Sequence, residues 1–298
     1  MIRDPRVIRD PGLIAVAAAL DPAMTAGVLD LLARVEAHDG VAAVGEAGLL
    51  ELRAPLHPVS HLLIATDGAL AGYAWTDGVS GELAVDPVRR RRGHGGALLA
   101  RLVTLHPDVA VWAHGASPAA AALAASQGLA ATRELWRMRW EPAGVVVPPL
   151  AEGYAVRSFV GAADGPDGEA WVALNARTFA SHPEQGRLTT ADLAQRMDEP
   201  WFDPASFLLV TDGEHLAGHA WLKADRGEME VYVLGIAPEH QRRGLAAHLL
   251  GRAQEEARSA GARALTLHVE GDNLTAIRSY VRAGFRRDSV DLQYSVVP

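Results

Sequence analysis

Two rhythms of apolar residues run along this chain, and they occur in the same order twice. Leu13, Val16, Ala17 and Leu20, then Val28, Leu31, Leu32 and Val35, fall at helical spacing, so residues 13–36 are expected to form one or two helices. Val41 to Glu46 reads as loop, and Ala47 to Leu52 as a return to helix. His61-Leu62-Leu63-Ile64-Ala65 and Leu70-Ala71-Gly72-Tyr73-Ala74-Trp75 are short apolar runs separated by Thr66-Asp67-Gly68, the pattern of a β-hairpin. Phe207-Leu208-Leu209-Val210, Thr211-Asp212-Gly213 and Leu216-Ala217-Gly218-His219-Ala220-Trp221 repeat that hairpin with one residue added in the turn.

Each hairpin is followed by a strand, a proline, a basic turn and a helix. Leu83-Ala84-Val85-Asp86-Pro87 with Arg90-Arg91-Arg92-Gly93-His94-Gly95 matches Leu234-Gly235-Ile236-Ala237-Pro238 with Gln241-Arg242-Arg243-Gly244-Leu245-Ala246-Ala247, at a fixed offset of 151. The proline cannot donate to a sheet ladder and ends the strand. Leu245, Leu249, Leu250 and Ala253 then set a helical face. Each copy closes on a glycine and an apolar residue, Gly128-Leu129 and Gly284-Phe285. Three landmarks in one order define a duplicated domain. The copies are expected at 1–141 and 153–298, with the proline- and glycine-rich stretch 142–152 as linker. The second copy should finish with a strand at Ala264 to Val269, a helix, and a last strand at Leu292 to Val297. The expected class is α+β, a mixed sheet of the α/β type covered by helices.

Composition narrows the function. At 298 residues the chain suits two domains, and 49% apolar with 21% charged residues is ordinary for a globular protein. A net charge of -8 argues against nucleic acid and against a basic membrane-binding face. Arg89 to Arg92 therefore reads better as an anion-binding turn than as a nucleic-acid patch. With no cysteine, the chain has neither disulfides nor thiolate chemistry of its own. MIRDPRVIRDPG is charged and broken by prolines, unlike a signal peptide, and the apolar run from Leu13 to Leu20 is far too short to span a bilayer. A cytoplasmic monomer is expected. His57 and His61 lie four apart without HExxH or Cys/His spacing, so no metal is expected, and no GxSxG elbow offers a nucleophilic serine.

The candidate chemistry sits on the repeated turn. A strand passing through a small-residue turn into a helix leaves the first helical N–H groups unpartnered, and with the helix dipole they attract an anion. The turns at Gly244 and Gly93 resemble the acetyl-CoA pyrophosphate loop of the GCN5-related N-acetyltransferases (GNAT), whose signature is Gln/Arg-x-x-Gly-x-Gly/Ala. That resemblance implies the family's mixed sheet, with the cofactor between two diverging strands. It also implies a base on the strand before the loop and a tyrosine facing the thiolate on a later helix. In the second copy Glu230 and Tyr280 occupy such positions, with Asn273 ahead of the tyrosine's helix. Counted through the repeat, Glu230 falls on Val79 at the loop's offset of 151, and Tyr280 and Asn273 fall on Ala124 and Ser117 at the offset of 156 between Gly128 and Gly284, so the first copy reads as a cofactor-binding or structural half. Taken alone, Glu230 also reads as a solvated strand-edge charge beside Glu228 and Asp225, and Tyr280 as core.

Five further segments, VAAVGE, WAHG, HPEQG, WFDP and EVYVLGIAPEHQRRGLA, are similar to a tandem branch of the family. Its members acetylate the cysteinyl amine of the pseudodisaccharide Cys-GlcN-inositol. That likeness implies Glu230 as general base through water and Tyr280 as general acid. It implies acetyl-CoA held by Leu234-Gly235-Ile236, the loop from Gln241 to Ala247, and Asn273-Leu274-Thr275-Ala276-Ile277-Arg278. A second acetyl-CoA would lie on Leu83-Ala84-Val85 and Arg90 to Gly95. Glu46, Glu184, Lys223, Glu230 and His268 match positions that touch the pseudodisaccharide. Two residues depart from the pattern: His268 stands for a tyrosine, and Ala246 for the second loop glycine. Acetylation of another small amine or of a protein N-terminus, and acetyl-CoA sensing without catalysis, are the competing functions.

Overall fold

The structure, a computed structural model, describes residues 8–9, 14–180 and 185–297. In chain order its elements are β1 Ile8–Arg9, β2 Ile14–Ala17, α1 Pro22–Asp39, α2 Glu46–Arg53, β3 Ser60–Thr66, β4 Ala69–Thr76, β5 Ser80–Val85, α3 His94–Leu105, β6 Ala110–Ala113, α4 Pro118–Ser126 and β7 Leu129–Trp140. There follow β8 Tyr154–Ser158, α5 Pro166–Thr178, α6 Thr190–Met197, β9 Phe207–Asp212, β10 His215–Asp225, β11 Glu228–Ile236, α7 Leu245–Ser259, β12 Leu265–Glu270, α8 Leu274–Arg282 and β13 Arg286–Val296.

The chain divides into two compact units, residues 1–135 with 289–298, and residues 136–288. Within the first unit the antiparallel run β2-β3-β4-β5 meets β6 in parallel, through Ser80↔Ala110 and Gly81↔Val111. Leu292, Gln293 and Tyr294 of β13 then pair antiparallel with β6. Within the second unit β8-β9-β10-β11 is antiparallel, and β12 joins β11 in parallel. Mixed sheets of this kind need helices to carry the parallel crossovers, and α3 and α7 follow β5 and β11 for that reason.

The division falls inside strands and not at the proline-rich stretch. β7 crosses it between Leu135 and Trp136, and β13 between Asp288 and Ser289. Alternation along β7 gives no sign of a break, so the sequence reading set the boundary at 141. Residues 141–153 do lack helix and strand, but they are packed within the second unit. The Pro148 carbonyl accepts from His248 Nδ1 of α7 at 2.7 Å. A Cβ on Gly251 would meet Pro148 at 2.8 Å, so the segment rests against that helix.

The cores follow the expected periods. Leu245, Leu249, Leu250 and Ala253 are all buried on the sheet-facing side of α7, as Leu98, Leu99 and Leu102 are on α3. The first helix differs from expectation. It starts at Pro22, where Asp21 accepts from Met24 N as an N-cap, while Ile14–Ala17 pairs with β3 as a strand. An eight-residue apolar run fits either period, and the cap decides where the helix begins. The last strand also starts earlier than expected, at Arg286, because its first residues are polar and exposed and show no apolar alternation.

Candidate active site

In the second unit β11 and β12 pair over three positions, Met229↔Leu265, Glu230↔Thr266 and Val231↔Leu267, and then part. Glu230 stands at the edge of the gap with 26% of its side chain exposed, and accepts from His268 Nδ1 of β12 at 2.9 Å. On its other flank it faces Lys223 of β10. Burial alone would raise its carboxyl. The hydrogen bond and charge of His268, with the charges of Lys223 and Arg137, outweigh that and hold the pKa below the ordinary carboxylate range. Glu230 is thus an ionised carboxylate in a cationic setting that solvent can reach.

The facing of Lys223 on Glu230 depends on one extra residue. Trp221 pairs with Val233 and Leu222 with Val231, so Tyr232 is bulged out of the ladder. Had Tyr232 stayed in the ladder opposite Leu222, Lys223 would face Val231 and Glu230 would face Ala224.

Tyr280 lies on α8, half-buried against Phe285, with ring centroids 6.1 Å apart. Burial pushes its phenol up to about 12, so it keeps its proton at neutral pH and can donate it. Asn273 caps α8, its side chain accepting from Ala276 N at 3.1 Å. Leu274, Thr275 and Arg278 are exposed on that helix, and Ala276 and Ile277 are half-buried.

The turn before α7 has the geometry expected of an anion cradle. Arg242 is left-handed at φ 61°, and Gly244 at φ 82° is the N-cap, with no side chain capping the helix. A Cβ at Gly244 would meet nothing within 4 Å, so the backbone at the N-cap is open to close approach. This suits a diphosphate, which needs several convergent donors and close backbone approach. The first unit repeats the geometry at the same offset of 151, with Arg91 at φ 62° and Gly93 at φ 88° before α3. The leading loop side chains also match: Gln241 Nε2 donates to the Ile236 carbonyl at 3.3 Å, and Arg90 Nε to the Val85 carbonyl at 3.2 Å. Both staple the turn to its own strand, and Arg90 is further held by Asp39 at 2.6 and 2.8 Å.

Leu83, Ala84, Val85, Arg90, Arg91, Gly93, His94 and Gly95 line a cavity of about 690 Å³ in the first unit. Arg92 is exposed at the loop's outer side. Volume and chemistry do not coincide, since a second cavity of about 400 Å³, near Arg177 and His240 in the second unit, touches no expected site residue. Glu46 is the first residue of α2 and half-buried. Glu184 lies outside the described residues. His57 and His61 bond Glu51 and Tyr73, and no metal-holding group occurs among the described residues.

Sequence reasoning missed one cluster. Glu82 of β5, buried in the first unit, accepts from Trp75 Nε1 at 2.7 Å and from Gly45 N at 3.0 Å. His114 donates one ring nitrogen to Glu82 and the other to Asp291, each at 2.7 Å. Burial would lower the imidazole, but the hydrogen bonds and charges of the two carboxylates raise it to about 10. The available signal was a single carboxylate inside an apolar strand. Asp291, 177 residues from His114, left none.

The segment Trp171 to Phe285 matches the model of the acetyltransferase (GNAT) family. It carries Glu230, the Gly244 turn, His268 and Tyr280. The mycothiol acetyltransferase of Kineococcus radiotolerans is 46% identical over 285 residues, covering 91% of this chain and 92% of that one. That of Clavibacter michiganensis subsp. michiganensis is 44% identical over 92% of each. The chain belongs to the mycothiol acetyltransferase family. Two solved structures share the fold: a tandem GNAT protein from the clavulanic acid biosynthesis pathway (TM-score 0.71, 19% identity, 96% and 98% covered) and a GCN5-related N-acetyltransferase from Sphaerobacter thermophilus (0.68, 22%, 97% of each). As a mycothiol acetyltransferase family member the protein is an enzyme of acetyl transfer. Among its described residues no helix is long and apolar enough to cross a membrane.

Proposed function

We propose that the second unit transfers the acetyl group of acetyl-CoA to the cysteinyl amine of Cys-GlcN-inositol, yielding mycothiol and CoA. The observation that carries this reading is Glu230, an ionised, reachable carboxylate at the mouth of the β11–β12 gap, one strand ahead of the anion cradle. The names of the curated relatives support the acceptor.

Acetyl-CoA supplies an activated thioester. The turn from Gln241 to Ala247 holds its diphosphate, with Leu234-Gly235-Ile236 and the stretch from Asn273 to Arg278 along the rest. A free α-amine has a reference pKa of about 8 and must shed a proton before it attacks. Glu230 accepts that proton through water, and its low pKa keeps it charged for the task. Tyr280 donates to the departing thiolate. Lys223 and His268 contact the polyhydroxylated acceptor.

The first unit binds a second acetyl-CoA in its cavity without turning it over. Its domain is the degenerate copy, residues 1–141 on the sequence boundaries, and 153–298 is the catalytic one. Incubating the protein with acetyl-CoA and Cys-GlcN-inositol, beside a panel of other amines and peptide N-termini, tests the assignment by product mass. Preferential acetylation of the cysteinyl amine is expected. Faster acetylation of any other amine, or binding without turnover, overturns it.

A further inference from the structure

Of 28 lysine and arginine residues in this chain, one is lysine. It is Lys223, opposite Glu230. Its ammonium lies 4.8 Å from the centroid of the Trp201 ring and 5.5 Å from that of Tyr232. Both distances are within the reach of cation–π attraction. The rings are themselves braced. Trp201 lies 5.1 Å from Tyr232 and 5.5 Å from the fully buried Trp221, which stacks on Phe207 at 4.5 Å. The Tyr232 hydroxyl accepts from Arg196 Nε at 2.8 Å. Tyr232 is also the bulged residue that brings Lys223 opposite Glu230.

We propose that Trp201 and Tyr232 are positioning residues, an aromatic platform that holds the Lys223 ammonium beside Glu230 so that the acceptor meets a fixed cation–carboxylate pair. A lysine carries its charge on a flexible stem of four carbons and loses considerable rotamer freedom when fixed. Two ring faces narrow the positions open to that stem. Trp201 lies in WFDP, a segment to which the acetyl transfer chemistry assigns no task. An arginine here would bring a planar fork, not a point charge, which fits the exception to the chain's otherwise exclusive use of arginine.

The inference rests on the reading of Lys223 and Glu230 as acceptor contacts, and the test separates the two. With lysine labelled at the ε-carbon, the whole protein gives one ε-methylene signal. Ring currents should shift it upfield in the wild type. Trp201→Leu should move it back toward the position of a free lysine, and Trp201→Phe should retain most of the shift. In steady-state assays Trp201→Leu and Lys223→Met should each raise KM for the acceptor roughly three- to tenfold, the size of a partly exposed cation–π contact. KM for acetyl-CoA should not change, and the double variant should match Lys223→Met. Tyr232→Leu repeats the test from the second ring if Trp201→Leu fails to fold. An unshifted wild-type signal, or one that neither ring variant moves, overturns the platform whatever the kinetics. A shifted signal with wild-type acceptor KM in Lys223→Met instead overturns the acceptor-contact reading, and the positioning role with it.

Discussion

Both units carry a glutamate on the strand before the anion cradle, and in both it is bonded to a histidine from the neighbouring parallel strand or its end. Glu82 meets His114 at 2.7 Å and Glu230 meets His268 at 2.9 Å. There the likeness stops. The Glu82 side chain is 6% exposed and its oxygens accept from Trp75, Gly45 and His114, while Asp291 takes the second nitrogen of that histidine. Glu230 keeps 26% exposure and faces a lysine. The ladders differ to match: β4 and β5 pair without interruption from Gly72↔Val85 to Thr76↔Gly81, whereas β10 and β11 carry the Tyr232 bulge. A shared frame of strand, turn and helix thus holds two carboxylates in different states, one committed to internal hydrogen bonds and one that solvent can reach. On the proposed function, that difference is what makes the second unit the reacting one.

The largest effect should come from the cradles. Gly244→Glu puts a left-handed side chain and a negative charge where the diphosphate belongs, and should abolish turnover. Gly93→Glu makes the same change in the first unit, and should remove one of two bound acetyl-CoA molecules while leaving most turnover intact. Counting bound ligand by calorimetry beside the rate checks both. Equal loss of rate would break the comparison, since both copies would then be catalytic.

Next in size is the open carboxylate. Glu230→Gln should lower kcat by ~10²–10⁴, about 3–5 kcal/mol in barrier, with acetyl-CoA still bound. Raising the pH should restore part of the rate, because more of the amine is already neutral. A wild-type kcat at pH 7 with an unchanged pH profile would make Glu230 a contact and not the base.

What could be read from residues alone was the repeat and its frame. The offset of 151 recurs in the structure down to the φ values of Arg91 and Arg242, because a turn this tight is determined by its own few residues. Long-range pairing was not legible. Nothing in the sequence of β5 says that Glu82 will meet a histidine just past β6 and an aspartate from the last strand, so the first copy read only as having Val79 and Ala124 in place of an acid/base pair. Nor does WFDP show that its tryptophan will lie beneath Lys223. Both partnerships depend on which strands become neighbours, and a bulge of one residue in β11 changes that facing entirely.

A smaller loss is expected at Tyr280. A thiolate with a reference pKa of about 8.5 is a fair leaving group without help. Tyr280→Phe should therefore cost about tenfold in kcat, near the low end for general acid catalysis. Its effect should grow with an acyl donor whose leaving group is more basic. If it does not, the buried phenol is packing for Phe285 and the acid lies elsewhere.

The smallest effect on turnover, and the sharpest test of the sealed site, belongs to His114. Its imidazolium is raised to about 10 in the folded protein, against an ordinary value of 6.5. The folded state thus holds a proton that the unfolded chain releases. By linkage, the stability it contributes is complete below pH 6.5 and is lost as the pH rises toward 10. His114→Gln leaves Glu82 and Asp291 buried without their cation, a change that typically costs about 3–5 kcal/mol. The stability gap between wild type and variant should therefore be widest near pH 6 and narrow as the pH approaches 10. Amide exchange in β5, β6 and residues 289–296 should report it, while kcat per folded molecule stays at the wild-type value. A gap of constant size across that range would mean that His114 is neutral, and that the first unit's carboxylates are not sealed by charge. A fall in kcat would mean that the cluster is not confined to holding the first unit together.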